Sequence, residues 1–456
     1  MLLSGARVVV LGLGVSGQAA AQFLLRRGAR VVASDVRVHH GKPGLADALI
    51  DSGAEVIIGP QDAELFRDAD LVVVSPGVPS MAELDAVARS GVPVISEIEL
   101  ASWYIHAPIV AITGTNGKST VTTLIGEMCA SRGRRVFVGG NLGTPGIVAV
   151  GTPAGEADGL VILELSSFQL ERIQTFRPNI AALLNVSPDH LDRYSSYDDY
   201  RAAKARVFEN QTESDIAVAA AADLECIQIA SASRGNLLLY GPPDGEVHIE
   251  GDVLRDRSNG LEVPIDKLGI KGAQSLSNMA CACLISRQLG ISPDEIARAL
   301  TTFKGLPHRM QFVAEIDGVQ YYDDSKATNV GAAVSAIAGV GKGTERVVLV
   351  LGGRDKGASY GPLADSIKTR ARAAVLIGEA TPLLKDALAP TGIPIECADS
   401  MEGAVNSARA MARVGDVVLL APACSSFDMF ESYAERGNAF QAAVRALESS
   451  QKREAC

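Results

Sequence analysis

The chain is 456 residues long, which at roughly 150 residues per domain predicts three domains. Hydrophobic residues make up 47 % and aromatics only 5 %, and the 45 glycines exceed the usual ~7 %, a mixture that favours an α/β chain with many tight strand-to-helix turns over a disordered one. Its 42 basic and 53 acidic residues leave a net charge of −11, which argues against a surface that coats nucleic acid or an anionic membrane.

Seven cysteines, an odd number without CxxC spacing, argue against a disulfide framework or a zinc ribbon and predict a cytoplasmic protein. The first residues run into a strand broken by Gly12, Gly14 and Gly17, so they lack the sustained apolar region of a signal peptide. The longest uncharged stretch, 136–155, holds six Gly and two Pro, which excludes a membrane helix there, so no membrane insertion is expected.

In chain order, short β-branched runs at 8–11, 31–33 and 71–74 alternate with helical patterns, as a parallel sheet with crossover helices requires. The pattern at 16–27 ends at Gly28, a natural helix terminator. Gly12, Gly14 and Gly17 follow the first strand and open this helix, and Asp35 ends the second strand. That is a dinucleotide-binding fingerprint with its acidic residue. Read alone it specifies a nicotinamide dinucleotide, or simply a close-packed strand-to-helix turn.

A second region begins with a strand at 109–113, followed by a helix at 119–132 closed by Gly133. Between them Gly114, Thr115, Asn116, Gly117, Lys118, Ser119 and Thr120 form a phosphate-loop pattern. Backbone amides and Lys118 suit triphosphate oxygens, and the Ser119 hydroxyl suits Mg²⁺. Ile112 stands where the usual GxxxxGK spacing has its first glycine, so a plain capped helix start is the alternative. Glu164, ending a strand at 160–165, is placed to serve the metal or its water. His190, after a strand at 180–186, reads either as a ligand at the same sheet edge or as a loop histidine bonded to Asp192. Lys204, in a helix at 197–210 among Ala202, Ala203 and Ala205, reads locally as a solvated lysine; if the helix packs beside His190, that small-residue setting would lower its pKa enough to react with CO₂. The stretch 231–265 reads as hairpins and surface loops.

From 309 the strand-helix rhythm returns, with strands at 347–351, 374–377 and 417–420. The dense polar loop at 322–329 and the turns at 352–357 and 422–427 are candidate ligand cradles. Lys356 suits a substrate carboxylate, whereas Cys424, with no histidine after it in the chain, reads as a buried thiol.

Taken together, GLGVSG, SPG at 75–77, TGTNGKST, GGNLGTP at 139–145, ELSSFQL, NVSPDHLDRY, YRAAK, GLPHRM, DDSKATN, LGGRDKG and PACSSFDMFESYAERG resemble the ATP-dependent Mur ligases of bacterial cell-wall synthesis, in matching order over nearly the whole chain. TGTNGKS alone is shared with folylpolyglutamate synthetases, while DDSKATN and PACSSFD are more specific to the D-glutamate-adding branch.

The resemblance implies three α/β domains: a Rossmann-like UDP-binding domain at 1–100, a central P-loop ATPase domain at 101–307, and a Rossmann-like domain at 308–456 that binds the amino acid and closes on ATP. It implies a monomer that couples UDP-N-acetylmuramoyl-L-alanine to D-glutamate through an acyl phosphate, with ATP and two Mg²⁺ ions. By the same resemblance Gly114 to Thr120, Asn278, Arg309, Asp324 and Lys326 contact ATP. Ser119 and Glu164 serve one Mg²⁺; His190 and a carbamylated Lys204 serve the other. Val15, Ser16, Asp35, Val36, Arg37, Ser75, Gly77, Asn141 and His190 meet the sugar nucleotide, and Thr328, Lys356, Ser426 and Phe427 meet glutamate. Ser16 and Val36 stand where relatives commonly have threonine.

Overall fold

The computed structural model describes residues 3–36, 45–130, 133–270, 272–340 and 346–454. Chain contacts separate it into two compact units, one of residues 1–186, 201–262 and 279–299, the other of 187–200, 263–278 and 300–456. No described helix is long and apolar enough to cross a membrane.

The first unit carries two sheets. One is parallel throughout, in the order Glu55–Ile58, Arg30–Asp35, Arg7–Leu11, Leu71–Val74, Val94–Ser96. That is the Rossmann order, its reversal falling beside Arg7–Leu11, where the glycine loop leaves the sheet. Val8 and Val10 face the core beneath helix Val15–Arg26, while Val9 and Leu11 face Leu65, Phe66 and Leu84, so both faces are covered and the strand reads as one apolar run. The other sheet runs Glu262–Pro264, Val253–Asp256, Val247–Glu250, Asn236–Tyr240, Ile216–Ala220, Ile180–Leu183, Ile109–Thr113, Leu160–Glu164, Val136–Gly140 in space.

Two expectations shift here. The helix expected at 119–132 begins one residue earlier and is described over Lys118–Ala130, with 131 and 132 outside the described residues, so the phosphate-loop lysine is its first residue. Within 231–265, expected as hairpins and loops, Asn236–Tyr240 instead extends the sheet in parallel with Ile216–Ala220, with Leu237 and Leu239 packed on the core, while Val247–Glu250 and Val253–Asp256 pair antiparallel as a hairpin.

The two sheets of this unit share one apolar core, fused by helix Glu97–Ser102: Ile98, Leu100 and Ala101 sit in the same cluster as Ile147, Leu163 and Phe176. Glu99 strengthens this join. Its buried carboxylate accepts from Trp103 Nε1 at 2.8 Å, from the amides of Gln174, Thr175 and Phe176 at 2.9, 2.9 and 2.8 Å, and from the Thr175 hydroxyl at 2.6 Å.

Glu97 contrasts with it. Its Oε1 accepts from the Ile147 amide at 2.6 Å, but Oε2 is buried without a hydrogen-bond partner among the described residues, and burial pushes the carboxyl up to about 7. The folded chain then holds a proton that the unfolded chain releases near 4.5, so stability falls as pH rises between those values. Glu97→Gln, neutral at every pH, is expected to flatten that slope. In urea unfolding at pH 5 and pH 8 the parent chain should lose roughly 2 to 3 kcal/mol more than the variant, and equal losses would contradict a protonated Glu97.

The second unit holds the third sheet, ordered Gln311–Ile316, Val319–Asp323, Val417–Leu420, Val347–Gly352, Ala371–Ile377, Ile395–Cys397. The first pair is antiparallel and the rest are parallel. Apolar clusters fill both faces of this sheet, under Val330–Gly339 and Gly361–Arg370 on one side and Met401–Met411 on the other.

Candidate functional site

At the first loop, Gly12 adopts φ +81 and a Cβ at Gly17 would collide with the carbonyl oxygen of Gly12, so both glycines are required by the backbone's own crossing. Ser75, which the resemblance assigns to the sugar nucleotide, ties this crossing by donating to the Gly12 carbonyl at 2.7 Å. Asp35 accepts from the Leu13 amide at 2.7 Å and so fixes the loop from the neighbouring strand. Val15 and Val36 are 56 % and 57 % exposed beside it, Ser16 is partly buried and Gly77 is exposed, while Arg37 lies outside the described residues.

The phosphate loop grows from strand Ile109–Thr113 into helix Lys118–Ala130. Gly114 has φ +145 and Gly117 +87, conformations that side chains resist. The loop is braced from the next strand's end: Thr115 donates its amide to the Asn185 carbonyl at 2.9 Å, the Asn116 amide donates to Asn185 Oδ1 at 2.8 Å, and Asn185 Nδ2 returns a bond to the Asn116 carbonyl at 3.1 Å. Lys118 folds over the loop, donating to the carbonyls of Gly114 and Thr115 at 2.9 and 2.8 Å. Ser119 and Thr120 are buried behind it.

Lys204 is not the solvated lysine its local sequence suggests. It is 2 % exposed, and its Nζ donates to the Gly114 carbonyl at 2.8 Å. Two ammonium groups, Lys118 and Lys204, thus converge on one carbonyl of the phosphate loop. Glu164, 3 % exposed at its strand end, accepts from Asn141 Nδ2 at 2.8 Å, and the Asn141 amide donates to the Glu164 carbonyl at 2.8 Å. The glycines before Asn141 let its loop wrap this strand end, since a Cβ on Gly140 would strike the Glu164 carbonyl.

In the second unit, three turns meet at the carboxyl edge of the third sheet. His308 and Met310 take positive φ, and the Met310 amide donates to Asp324 at 3.3 Å. Burial pushes Asp324 up to about 7, opposed by the charge of Arg309. Lys326 lies 4.1 Å over the Tyr433 ring, and Asn278 accepts from Gln274 at 3.2 Å. Thr328 is partly buried, Ser426 is buried and Phe427 is 65 % exposed.

His190 sits at φ +55 next to Asp189, not paired to Asp192; its Nε2 is 3.7 Å from Asp189 Oδ2. Asp189 in turn receives Lys356 at 3.0 Å. Cys424 accepts or donates to Tyr360 at 3.1 Å, and burial pushes its thiol up to about 11, which suits a structural cysteine.

Sequence reasoning missed three of these organising residues: Asn185, Asp189 and Arg436. Arg436, 1 % exposed, joins the turns by donating to the carbonyls of Ser325, Gly352, Cys424 and Ser425 at 2.9, 3.3, 3.1 and 3.2 Å. Asn185 and Asp189 lie inside the NVSPDH segment, and an amide directly after an apolar strand was the available signal.

Hard oxygen donors, the Glu164 carboxylate and the Ser119 hydroxyl, fit Mg²⁺, which commonly takes only one or two protein ligands beside phosphate and water. Accordingly, no cluster of three or more His, Cys, Asp or Glu side chains able to hold a metal occurs among the described residues. Lys204 as a cation does not fit a metal; only its carbamate would.

A glycine loop ending in a helix-opening lysine, with an acid on the adjacent strand end of a parallel sheet, defines a nucleotide-binding enzyme of the P-loop class. Family models agree along the chain: the Mur ligase MurD-like N-terminal domain matches 6–96, the Mur ligase middle domain 112–286, and the Mur ligase glutamate ligase domain 308–424. The UDP-N-acetylmuramoylalanine–D-glutamate ligase of Koribacter versatilis is 40 % identical over 99 % of this chain and 100 % of its own. That of Geotalea daltonii is 44 % identical over 98 % and 99 %. The chain belongs to the Mur ligase family, with the three-domain α/β architecture of that family. A solved pseudomurein peptide ligase type C from Methanothermus fervidus, 19 % identical, superposes with a TM-score of 0.63 over 97 % of this chain and all of its own, a likeness of fold. Ligases of this family are ATP-dependent, and Mg²⁺ use is general among them.

The bracing by Asn185 carries a prediction. Asn185→Ala removes two of the bonds that hold the Asn116 turn and should raise the KM for ATP about tenfold, a loss of roughly 1.4 kcal/mol. An unchanged KM for ATP would show that the loop holds its shape without it.

Proposed function

We infer that this chain joins D-glutamate to UDP-N-acetylmuramoyl-L-alanine in peptidoglycan precursor synthesis, using ATP. The observation that carries this reading is the full-length match to D-glutamate-adding ligases. Working domain limits are 1–100 for the sugar nucleotide, 101–307 for ATP and 308–456 for the amino acid, in a cytoplasmic monomer.

In the reaction a carboxylate oxygen of the muramoyl-alanine attacks the γ-phosphorus of ATP and ADP leaves, giving an acyl phosphate. The glutamate amine then attacks the acyl carbon, the carbon–oxygen bond to phosphate breaks, and the amine proton is lost. Such chemistry needs positioning and positive charge more than a protein nucleophile. Lys118, now resting on the loop carbonyls, would turn to the transferring phosphoryl oxygens, and the amides of Gly114 to Thr120 would hold the rest of the triphosphate. Asn278, Arg309, Asp324 and Lys326 would grip the nucleotide.

Ser119 and Glu164 would hold one Mg²⁺, and His190 with carbamylated Lys204 a second; when bound, the metal supplies charge to neutralise phosphate oxygens. Carbamylation would replace the Lys204 ammonium, whose Nζ now donates to the Gly114 carbonyl, by an anion whose nitrogen keeps one N–H. Val15, Ser16, Asp35, Val36, Arg37, Ser75, Gly77 and Asn141 would border the sugar nucleotide, and Thr328, Lys356, Ser426 and Phe427 the glutamate. The test is orthophosphate release and product mass with each substrate withheld in turn. Turnover should require all three substrates, and release that ignores the sugar nucleotide would overturn the reading.

A further inference from the structure

Asp189 is 5 % exposed, and both of its carboxylate oxygens are engaged within the second unit. Oδ1 accepts from Lys356 Nζ at 3.0 Å and from the His190 amide at 2.9 Å, while Oδ2 accepts from Asn329 Nδ2 at 3.0 Å. Asn329 is itself held in place, because its Oδ1 caps helix Val330–Gly339 by accepting from the Ala332 amide at 2.8 Å. The Lys356 turn is pinned separately: Asp355 accepts from the Gly357 amide at 2.9 Å and from the Tyr360 hydroxyl at 2.7 Å.

We propose that Asp189 is the positioning residue that seats the Lys356 ammonium for the carboxylate of the incoming amino acid. This rests on the reading of Lys356 as a glutamate contact. An ammonium has three N–H donors. Asp189 takes one, in a direction fixed through Asn329 by a helix terminus, which leaves the others for a ligand carboxylate. An aspartate fits and an asparagine does not: with donors arriving at both oxygens, the NH₂ of an asparagine amide in its place would face either the Lys356 ammonium or the Asn329 NH₂. One carboxylate thereby links the amino-acid anchor to the loop that carries His190.

The test is steady-state kinetics of the full chain for Asp189→Asn, Lys356→Met and the double variant, with KM measured separately for D-glutamate, ATP and the sugar nucleotide. Asp189→Asn should raise the KM for glutamate at least about tenfold and leave the other two within about twofold, a split that general loosening of the fold would not produce. Because Asp189 acts through Lys356, the double variant should have the glutamate KM of Lys356→Met alone. An unchanged glutamate KM, a parallel rise in all three, or multiplying effects in the double variant overturns the proposal. Should Asp189→Asn fail to fold, Asn329→Ser keeps a helix cap but removes the donor to Asp189; it should raise the glutamate KM several-fold, and no rise would be equally fatal. Failure of the parent chain to form product from these substrates would instead refute the underlying functional reading.

Discussion

Lys118→Ala is expected to lower substrate-dependent phosphate release by about 10³-fold, the scale of a lost charge contact to a transition state, roughly 4 kcal/mol. The geometry argues for an effect on turnover more than on folding. Lys118 is the first residue of its helix and only partly buried, and its partners include two loop carbonyls that water can satisfy when the side chain is cut. ATP would still find the loop amides, because Gly114 and Gly117 keep their positive φ and Asn185 keeps its clamp. The expected pattern is therefore a collapsed kcat, a modest change in the KM for ATP and a nearly unchanged melting temperature. Activity within about tenfold of the parent chain would remove Lys118 from phosphoryl transfer.

Lys204→Ala should lose about 10²-fold or more in activity and recover part of it when a short carboxylate such as formate or acetate is added at high concentration. Lys204 is almost wholly buried with its Nζ at the Gly114 carbonyl, so a carbamate formed there with CO₂ would stand beside the phosphate loop. The carbamate presents two hard oxygens where alanine leaves space, and an added carboxylate supplies the same donors to Mg²⁺. Carbon-13 NMR of the active chain equilibrated with labelled CO₂ gives an independent reading: one carbamate resonance in the parent chain and none in the variant. An active, CO₂-equilibrated sample whose Lys204 is unmodified would refute the carbamate.

The sheets were legible because their strands are buried on both faces and bounded by turn residues. Residues 109–113 and 417–420 form the strands their apolar runs predict. The glycine loops were legible for the same local reason, since their backbone cannot be built with side chains. What local sequence misjudged depended on partners far along the chain. Lys204 was read as solvated, yet Tyr200, Ala203, Lys204 and Val207, at helical spacing, are all buried. The periodicity held the signal, and lysine's usual exposure masked it. Asp35, read as the acidic residue of a dinucleotide fingerprint, also ties the glycine loop to the neighbouring strand by accepting from the Leu13 amide. Asp189 went unselected because its partners Asn329 and Lys356 lie 140 and 167 residues further on, a pairing that only the third sheet's turns create.

The acyl phosphate is the centre of the mechanism, and oxygen tracing tests it most directly. With the carboxylate of UDP-N-acetylmuramoyl-L-alanine labelled with ¹⁸O and D-glutamate present, each turnover should place one labelled oxygen in the released orthophosphate, because the carboxylate oxygen that attacks phosphorus leaves with it. Orthophosphate free of ¹⁸O, with the ligated product formed at the normal rate, would contradict an acyl phosphate and the mechanism built on it.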